Sequence, residues 1–254
     1  MLGNNSNSMN TKLITSILKT IIRDKQALYF SLVFPVILMF IMKAIVGRSV
    51  VGGMNYIDFV IPGLVTMTIV QLAVFSIAFV VAQQKEKGVI KRLFATPMTS
   101  FDFLSAQVVS RLVVSLIQTL LFIALAILIM SYTMKGSIIA LTIVAILGTL
   151  VFLSLGFLVS GLSKSVETVP AIANLVIFPM IIFGNIFFPL DRIPSWLKPI
   201  VDHLPVKYLA DGLRAIMTEG KSLFAVRTEA LWLLVWLVVF SMIATKVFSF
   251  GTKK

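Results

Sequence analysis

Few side chains in this 254-residue sequence are equipped for covalent or acid–base chemistry. There is no cysteine, and so no thiolate nucleophile, no disulfide framework and no Cys-held metal. The one histidine, His203, stands alone in a Pro-punctuated segment and reads as a surface residue rather than a ligand. No H-E-x-x-H, EF-hand or G-x-S-x-G pattern occurs. No G-x-x-x-x-G-K-[ST] occurs either, so the chain has no P-loop with which to hydrolyse nucleotide itself. The polar groups inside the long apolar runs are mostly uncharged amides: Gln71, Gln118, Asn174 and Asn185. Such amides either hydrogen-bond between packed helices or line a path for a polar solute. Arg111 is the one charge set well into an apolar run, where it is placed to snorkel inward; Lys43 and Lys246 lie near run ends and can do the same. Without an Asp/Glu/His relay in those runs, proton-coupled transport is disfavoured. The chemistry on offer is binding and docking.

Composition says what must position these groups. The chain is 59% hydrophobic and 13% charged, with a mean hydropathy of +1.04. A soluble domain is about 45–50% apolar and about 25% charged, and cannot keep such an excess out of water. A soluble enzyme, a disordered chain and a disulfide scaffold are excluded, and a polytopic membrane protein remains. The net charge of +12 then belongs to Lys and Arg flanking membrane spans, and nucleic acid is not an expected partner.

Spans of about 20 apolar residues are predicted at 27–46, 57–82, 104–131, 138–162, 169–190 and 229–250. The predicted fold is an all-α polytopic membrane protein with six transmembrane helices in one domain, 27–254. The preceding 26 residues, the span length and the lack of a small-residue cleavage motif argue against reading 27–46 as a signal peptide. Residues 1–9 read as a polar disordered tail, with Met9 as a second candidate start. Residues 10–26 carry Leu13, Ile14, Ile17, Leu18, Ile21 and Ile22 on one stripe and Lys12, Lys19 and Arg23 opposite, the pattern of an interfacial amphipathic helix. Lys85, Lys87, Lys91 and Arg92 in the 83–103 loop are the strongest vote for placing that loop, and both termini, on the cytoplasmic side.

Two connections are more than turns. In 83–103, Val89, Ile90, Leu93 and Phe94 repeat at helical spacing and Pro97 ends the run, giving a short helix with an apolar edge suited to a docking partner. In 191–228, Pro194, Pro199, Pro205 and Gly212 separate short helices. There Val206, Leu209, Leu213, Ile216 and Met217 share a face, Lys207 and Asp211 pair at i, i+4, and Trp196 suits the interface. This segment is expected to dip, re-entrant-like, into the outer leaflet.

The ordered set of these features resembles the ABC-2 type permeases, the membrane subunits of ATP-binding-cassette exporters. The resemblance rests on the layout and on the inner-loop run Glu86-Lys87-Gly88, Arg92-Leu93 and Thr96-Pro97. It rests also on the run from Phe178-Pro179 through Gly184, Phe187-Phe188-Pro189-Leu190, Ile193-Pro194, Trp196-Leu197, Leu204-Pro205, Tyr208 and Asp211 to Leu213-Arg214, which looks like the drug-exporter branch. Val89 stands where the family often has Thr, and Lys91 where an acid is common.

The resemblance implies that the chain is not an enzyme. ATP and Mg would be held by two separate P-loop ATPase subunits, with no cofactor on this chain. Glu86, Lys87, Gly88, Lys91, Arg92, Leu93, Phe94, Thr96 and Pro97 would form the coupling helix in an ATPase cleft. A second permease, identical or homologous, would complete the transporter, and the second and fifth spans would line the path. That places Thr66, Thr68, Gln71 and Phe75 from one, and Asn174, Phe178, Phe183 and Asn185 from the other, near substrate. The implied activity is export of an amphipathic drug, peptide or lipid-like molecule across the cytoplasmic membrane of a bacterium or archaeon. Alternatives are a permease for a lipid-linked glycan or teichoic polymer, ion extrusion, a non-transporting scaffold and, more distantly, a lipid-modifying membrane enzyme. The last needs acids, His or Lys clustered at one depth, and the sequence offers no such cluster.

Overall fold

In the computed structural model, residues 15, 25–46, 50–51, 54–88, 100–190 and 193–251 are described. The predicted tail 1–9, nearly all of the 10–26 helix and the 89–99 part of the coupling segment lie outside the described residues. The described chain is almost wholly helical. Helix α1 runs Lys25–Val46, with Pro35 inside it. A minimal antiparallel ribbon, β1 (Val50–Val51) against β2 (Met54–Asn55), pairs Val50 with Asn55 and leads into α2, Tyr56–Glu86. Then follow α3 (Ser100–Met130), α4 (Ile138–Leu162), a single 3-10 turn at Val166–Thr168 running directly into α5 (Val169–Phe183), the one-turn α6 (Lys198–Val201), α7 (Pro205–Met217) and α8 (Arg227–Gly251).

Five of these helices are long and apolar enough to cross a membrane, and α1 adds a shorter apolar stretch at Val33–Ile45. Their exposed side chains are the large apolar ones that lipid would cover, among them Ile117, Leu128, Ile139, Leu175, Val238 and Met242. Helix α2 is the exception. From Phe59 to Val70 every residue is buried, so this helix forms the axis about which the others pack. Apolar side chains gain little by leaving lipid for protein, so close backbone approach and interhelical hydrogen bonds must hold the packing. Both occur. A Cβ on Gly156 of α4 would meet Ile77 Cγ2 at 2.3 Å and the Val74 carbonyl at 2.7 Å, so α4 lies directly on α2. Ser115 and Thr149 hydroxyls share a hydrogen bond of 2.9 Å between α3 and α4, and Ser154 and Ser241 one of 3.2 Å between α4 and α8.

The helix ends depart from the predicted spans in ways with clear causes. The second helix continues to Glu86, four residues past the predicted 82, and α3 already begins at Ser100; both ends of the predicted 83–103 loop are therefore helical. Helix hydrogen bonding persists through polar residues where hydropathy stops counting. The fifth span, predicted to reach 190, stops as a helix at Phe183. Gly184 is pressed against the Met180 carbonyl and Val206, with no room for a Cβ, and Asn185 turns the chain at φ 57°. Residues 184–190 instead fold back onto the start of α2, where Ile186 is fully buried and its carbonyl would lie 2.4 Å from a Cβ on Gly63. The predicted six spans are thus five long helices plus α1 among the described residues.

Pro62 creates a defect in α2. It has no N–H, so the Asp58 carbonyl one turn earlier loses its helical donor. The structure repairs this from outside: Thr218, just past α7, donates its hydroxyl to the Asp58 carbonyl at 2.8 Å. Replacing Thr218 with the isosteric Val should lower stability in detergent by about 1–3 kcal/mol, the cost of a buried unsatisfied group. In that background Pro62→Ala, which restores the missing N–H, should recover more stability than it adds to the wild type. Thermal or denaturant unfolding of the four proteins checks this, and simple additivity of the two changes would contradict it.

Candidate functional site

The N-terminal end of α2 meets α7 and the 184–190 segment in a buried polar cluster. Its centre is Arg214, 5% exposed, on the apolar side of α7 among Leu213, Ile216 and Met217. Its guanidinium bonds Asp211 Oδ1 at 3.0 Å, donates from Nε to the Phe59 carbonyl at 3.3 Å and from Nη2 to the Asn185 carbonyl, and lies 3.9 Å from the Phe59 ring centroid. Asn185 donates its amide to the same Asp211 oxygen at 2.6 Å, so its left-handed turn is fixed from both its backbone and its side chain. Lys207 reaches Asp211 at 3.4 Å and Asp202 at 3.6 Å. Burial lowers the Arg214 pKa from its ordinary value, and the Asp211 charge partly offsets that. A cleft of about 420 Å³ opens here, with Lys198, Lys221, Glu219 and Glu229 on its walls beside the cluster.

Tyr132, in the α3–α4 connection, shares a 3.0 Å hydrogen bond with Thr218, and burial pushes its phenol up to about 12. His203 is fixed by its own segment, Nδ1 lying 2.7 Å from the Pro199 carbonyl and the ring meeting Trp232 edge-on. Trp232 stacks on Tyr208 of α7, which ties α8 to the same cap.

Arg111 does not reach solvent. It is 2% exposed, deep between α2 and α3. One end of its guanidinium is held by the Gln107 carbonyl and side-chain oxygen, and the other donates to the Ser76 carbonyl of α2 at 3.0 Å. The expected inward snorkel is not made, because the guanidinium is taken up by the Gln107 oxygens of its own helix and the Ser76 carbonyl of α2. With Ser110, Ser115, Gln118 and Thr119, it forms a buried polar stripe along α3.

The candidate path residues divide. Thr66 and Thr68 are buried, and their hydroxyls bond the Pro62 and Val65 carbonyls of their own helix at 2.9 and 2.7 Å. Gln71 and Phe75 are half-buried, Phe75 stacking on Phe79. On α5, Asn174 is exposed, as are Leu175 and Phe178 at 75% and 64%. Phe183 is half-buried, and Asn185 belongs to the outer cluster rather than to a helix face. Of the candidate coupling residues, Glu86 ends α2, Lys87 caps it, and Gly88 turns the chain at φ 63°. Lys91, Arg92, Leu93, Phe94, Thr96 and Pro97 lie outside the described residues. Thr218, Tyr132, Gln107, Ser115 and Thr149 were not singled out from sequence. The partners of Thr218, Tyr132, Ser115 and Thr149 are distant in the chain, whereas Gln107 lies one helical turn from Arg111, a local signal.

Removing Asp211 leaves Arg214 buried with a missing counter-charge, so Asp211→Ala should cost about 3–5 kcal/mol; equilibrium unfolding in detergent measures it, and a cost below about 1 kcal/mol would show the pair to be water-accessible. Tyr132 keeps its proton longer folded than unfolded. Its contribution to stability is therefore complete below pH 10 and is lost as pH rises from 10 towards 12. Comparing wild type with Tyr132→Phe in an alkaline unfolding series checks the sign: the variant should lack that part of the decline.

The family model for the ABC-2 type transporter matches residues 12–218. YbhS of Escherichia coli (strain K12), named a probable multidrug ABC transporter permease, is 23% identical over 183 residues, covering 72% of this chain and 48% of that protein. ABC transporter G family member 20 of Dictyostelium discoideum is 27% identical over 203 residues, 77% of this chain and 27% of that protein. YvfS of Bacillus subtilis (strain 168), a transport permease by name, is 21% identical over 203 residues, 80% of this chain and 83% of YvfS. The alignment thus spans about half the length of YbhS, and most of YvfS. With a family match across most of its length and five helices able to cross a bilayer, this chain belongs to the ABC-2 type transporter family of multi-pass membrane proteins.

Proposed function

We propose that this chain is the membrane-spanning half of an ATP-driven exporter, with six spans once α1 is counted and both termini in the cytoplasm. Two copies, or this chain and a homologue, form the translocation path. Two separate P-loop ATPase subunits carry ATP and Mg and dock on the 83–103 loop. The substrate is an amphipathic drug, peptide or lipid-like molecule. The observation that carries the reading is the family match over residues 12–218, joined to a chain that has no P-loop of its own. The multidrug name of YbhS supports the substrate class.

The path would run between the two halves, not through one. Support comes from α5, where Asn174 and Phe178 face outward while Ala173 and Ile177 face the protein. An exposed amide beside an exposed aromatic is a poor lipid face and a good wall for an amphipathic solute. Gln71 and Phe75 of α2, also half-exposed, would contribute the facing wall. The coupling segment would be a stiff element bracketed by Gly88 and Pro97, moved when the ATPases close. A polar lumen for a glycan polymer would call for more Tyr, Trp and charged residues on these faces than the Phe- and Leu-rich surface provides.

Co-expression with its partner should recover a P-loop ATPase bound to this chain, and proteoliposomes of that complex should transport a fluorescent amphipathic cation on ATP addition. Gln71→Ala, Phe75→Ala or Asn174→Ala should each change transport or substrate-stimulated ATPase activity by roughly fivefold, the equivalent of about 1 kcal/mol. Unchanged values in all of them would remove these residues from the path, and purification without any ATPase would remove the proposal itself.

A further inference from the structure

The inner end of α2 is tied to the start of α5, and the tie runs through Glu86. Its carboxylate Oε1 accepts the Val166 N–H at 2.7 Å across 80 positions of sequence. One residue earlier, Lys85 Nζ donates to the Ser160 carbonyl at 3.3 Å near the end of α4. Val166 opens the 3-10 turn that continues into α5. The first N–H groups of a helix have no partner inside it. Here Thr168 returns its hydroxyl to the Ser165 N–H at 3.2 Å, and the next donor, Val166, is met by Glu86. A carboxylate at this end also faces the positive pole of the helix.

We propose that Glu86 is a positioning residue that passes movement of the coupling segment to α5, rather than a residue that touches the ATPase. The inference rests on the proposed function above. Immediately after Glu86 the chain turns at Gly88 into that segment. Glu86 therefore sits where an inner-loop displacement enters the membrane domain. It joins the two helices, α2 and α5, that carry the candidate path residues Gln71, Phe75, Asn174 and Phe178. A push on α2 would move both walls of the path together.

The contact can be broken from either side. Glu86→Ala removes the acceptor, whereas Glu86→Gln removes the charge and keeps an acceptor oxygen. Val166→Pro removes the donor, together with the valine side chain that packs against the core. Proline is favoured at the first helical position, and Ser165 before it is already extended at φ −142°, ψ 167°, as a residue preceding proline must be. Substrate transported per ATP hydrolysed is measured for each variant in proteoliposomes of the complex with its ATPase. Glu86→Ala and Val166→Pro should each lower this ratio roughly tenfold, as loss of one charge-assisted hydrogen bond allows. ATP hydrolysis should continue, the double variant should be no worse than either single one, and Glu86→Gln, which keeps the acceptor and loses the charge assistance, should fall between wild type and Glu86→Ala. Glu86→Gln as damaging as Glu86→Ala would mean that the charge itself, facing a partner, is what matters, and would overturn the inference. So would a fully coupled Val166→Pro. Should Val166→Pro not assemble, the comparison of Gln with Ala at 86 decides alone. A wild-type complex without ATP-driven transport would instead overturn the proposed function, and the inference with it.

Discussion

A helix surrounded by protein inside a bilayer has no water to satisfy a stray carbonyl or charge, and the rest of the chain must do so. Helix α2 is that helix, and Pro62 makes the constraint acute by orphaning the Asp58 carbonyl. The outer architecture follows from the repair. Thr218 sits over Asp58 where α7 crosses the N-terminal end of α2, and Arg214 on the same helix is buried there. A buried guanidinium needs a carboxylate and more acceptors, which Asp211 and the carbonyls of Phe59 and Asn185 supply. Asn185 can offer its carbonyl only because α5 has ended at Phe183 and the chain has turned. The amphipathic cap, the early end of α5 and the left-handed residue all meet at the proline-bearing end of α2.

The same helix is held at two other depths. Arg111 of α3 donates to the Ser76 carbonyl, and at the inner end Glu86 and Lys85 reach the α4–α5 turn. The ties differ in chemistry. The outer one is an ion pair locked by packing, the middle one a cation neutralised by carbonyl dipoles, the inner one a single carboxylate on a backbone N–H at the exposed surface. Opening the inner contact disturbs the least buried structure. A membrane subunit driven from the cytoplasm would place its moving joint there and its fixed joint at the outer cap.

Much of this was legible in the sequence, and the gaps have physical causes. Apolar runs located the long helices because bilayer length dictates them. They misplaced the end of α5 because hydropathy counts the apolar residues after 183 and ignores backbone geometry; Gly184-Asn185 was the available signal. Arg111 was expected to snorkel because sequence gives its depth and not the Ser76 carbonyl beside it. Asp211, Arg214 and Glu86 entered through the family pattern. The partners that explain Arg214 and Glu86, Phe59 and Val166, stand 155 and 80 positions away, beyond any local reading. The candidate path residues were grouped by resemblance, and the described chain leaves Thr66 and Thr68 inside the fold and Asn174 and Phe178 on its surface.

If Glu86 joins them as proposed, α2 and the start of α5 move as one body while the coupling segment is driven. Spin labels at Lys87 and Lys164, both exposed on either side of the Glu86–Val166 contact, measure this directly in nanodiscs containing the complex with its ATPase. Pulsed electron–electron distance distributions would be recorded without nucleotide and with ATP trapped. A third label at Trp196 on the outer segment would serve as the reference. The Lys87–Lys164 distribution should be unchanged in both states, while the distance from Lys87 to Trp196 shifts. A Lys87–Lys164 distance that changes with nucleotide would contradict it, because the two helices would then be moving apart rather than together.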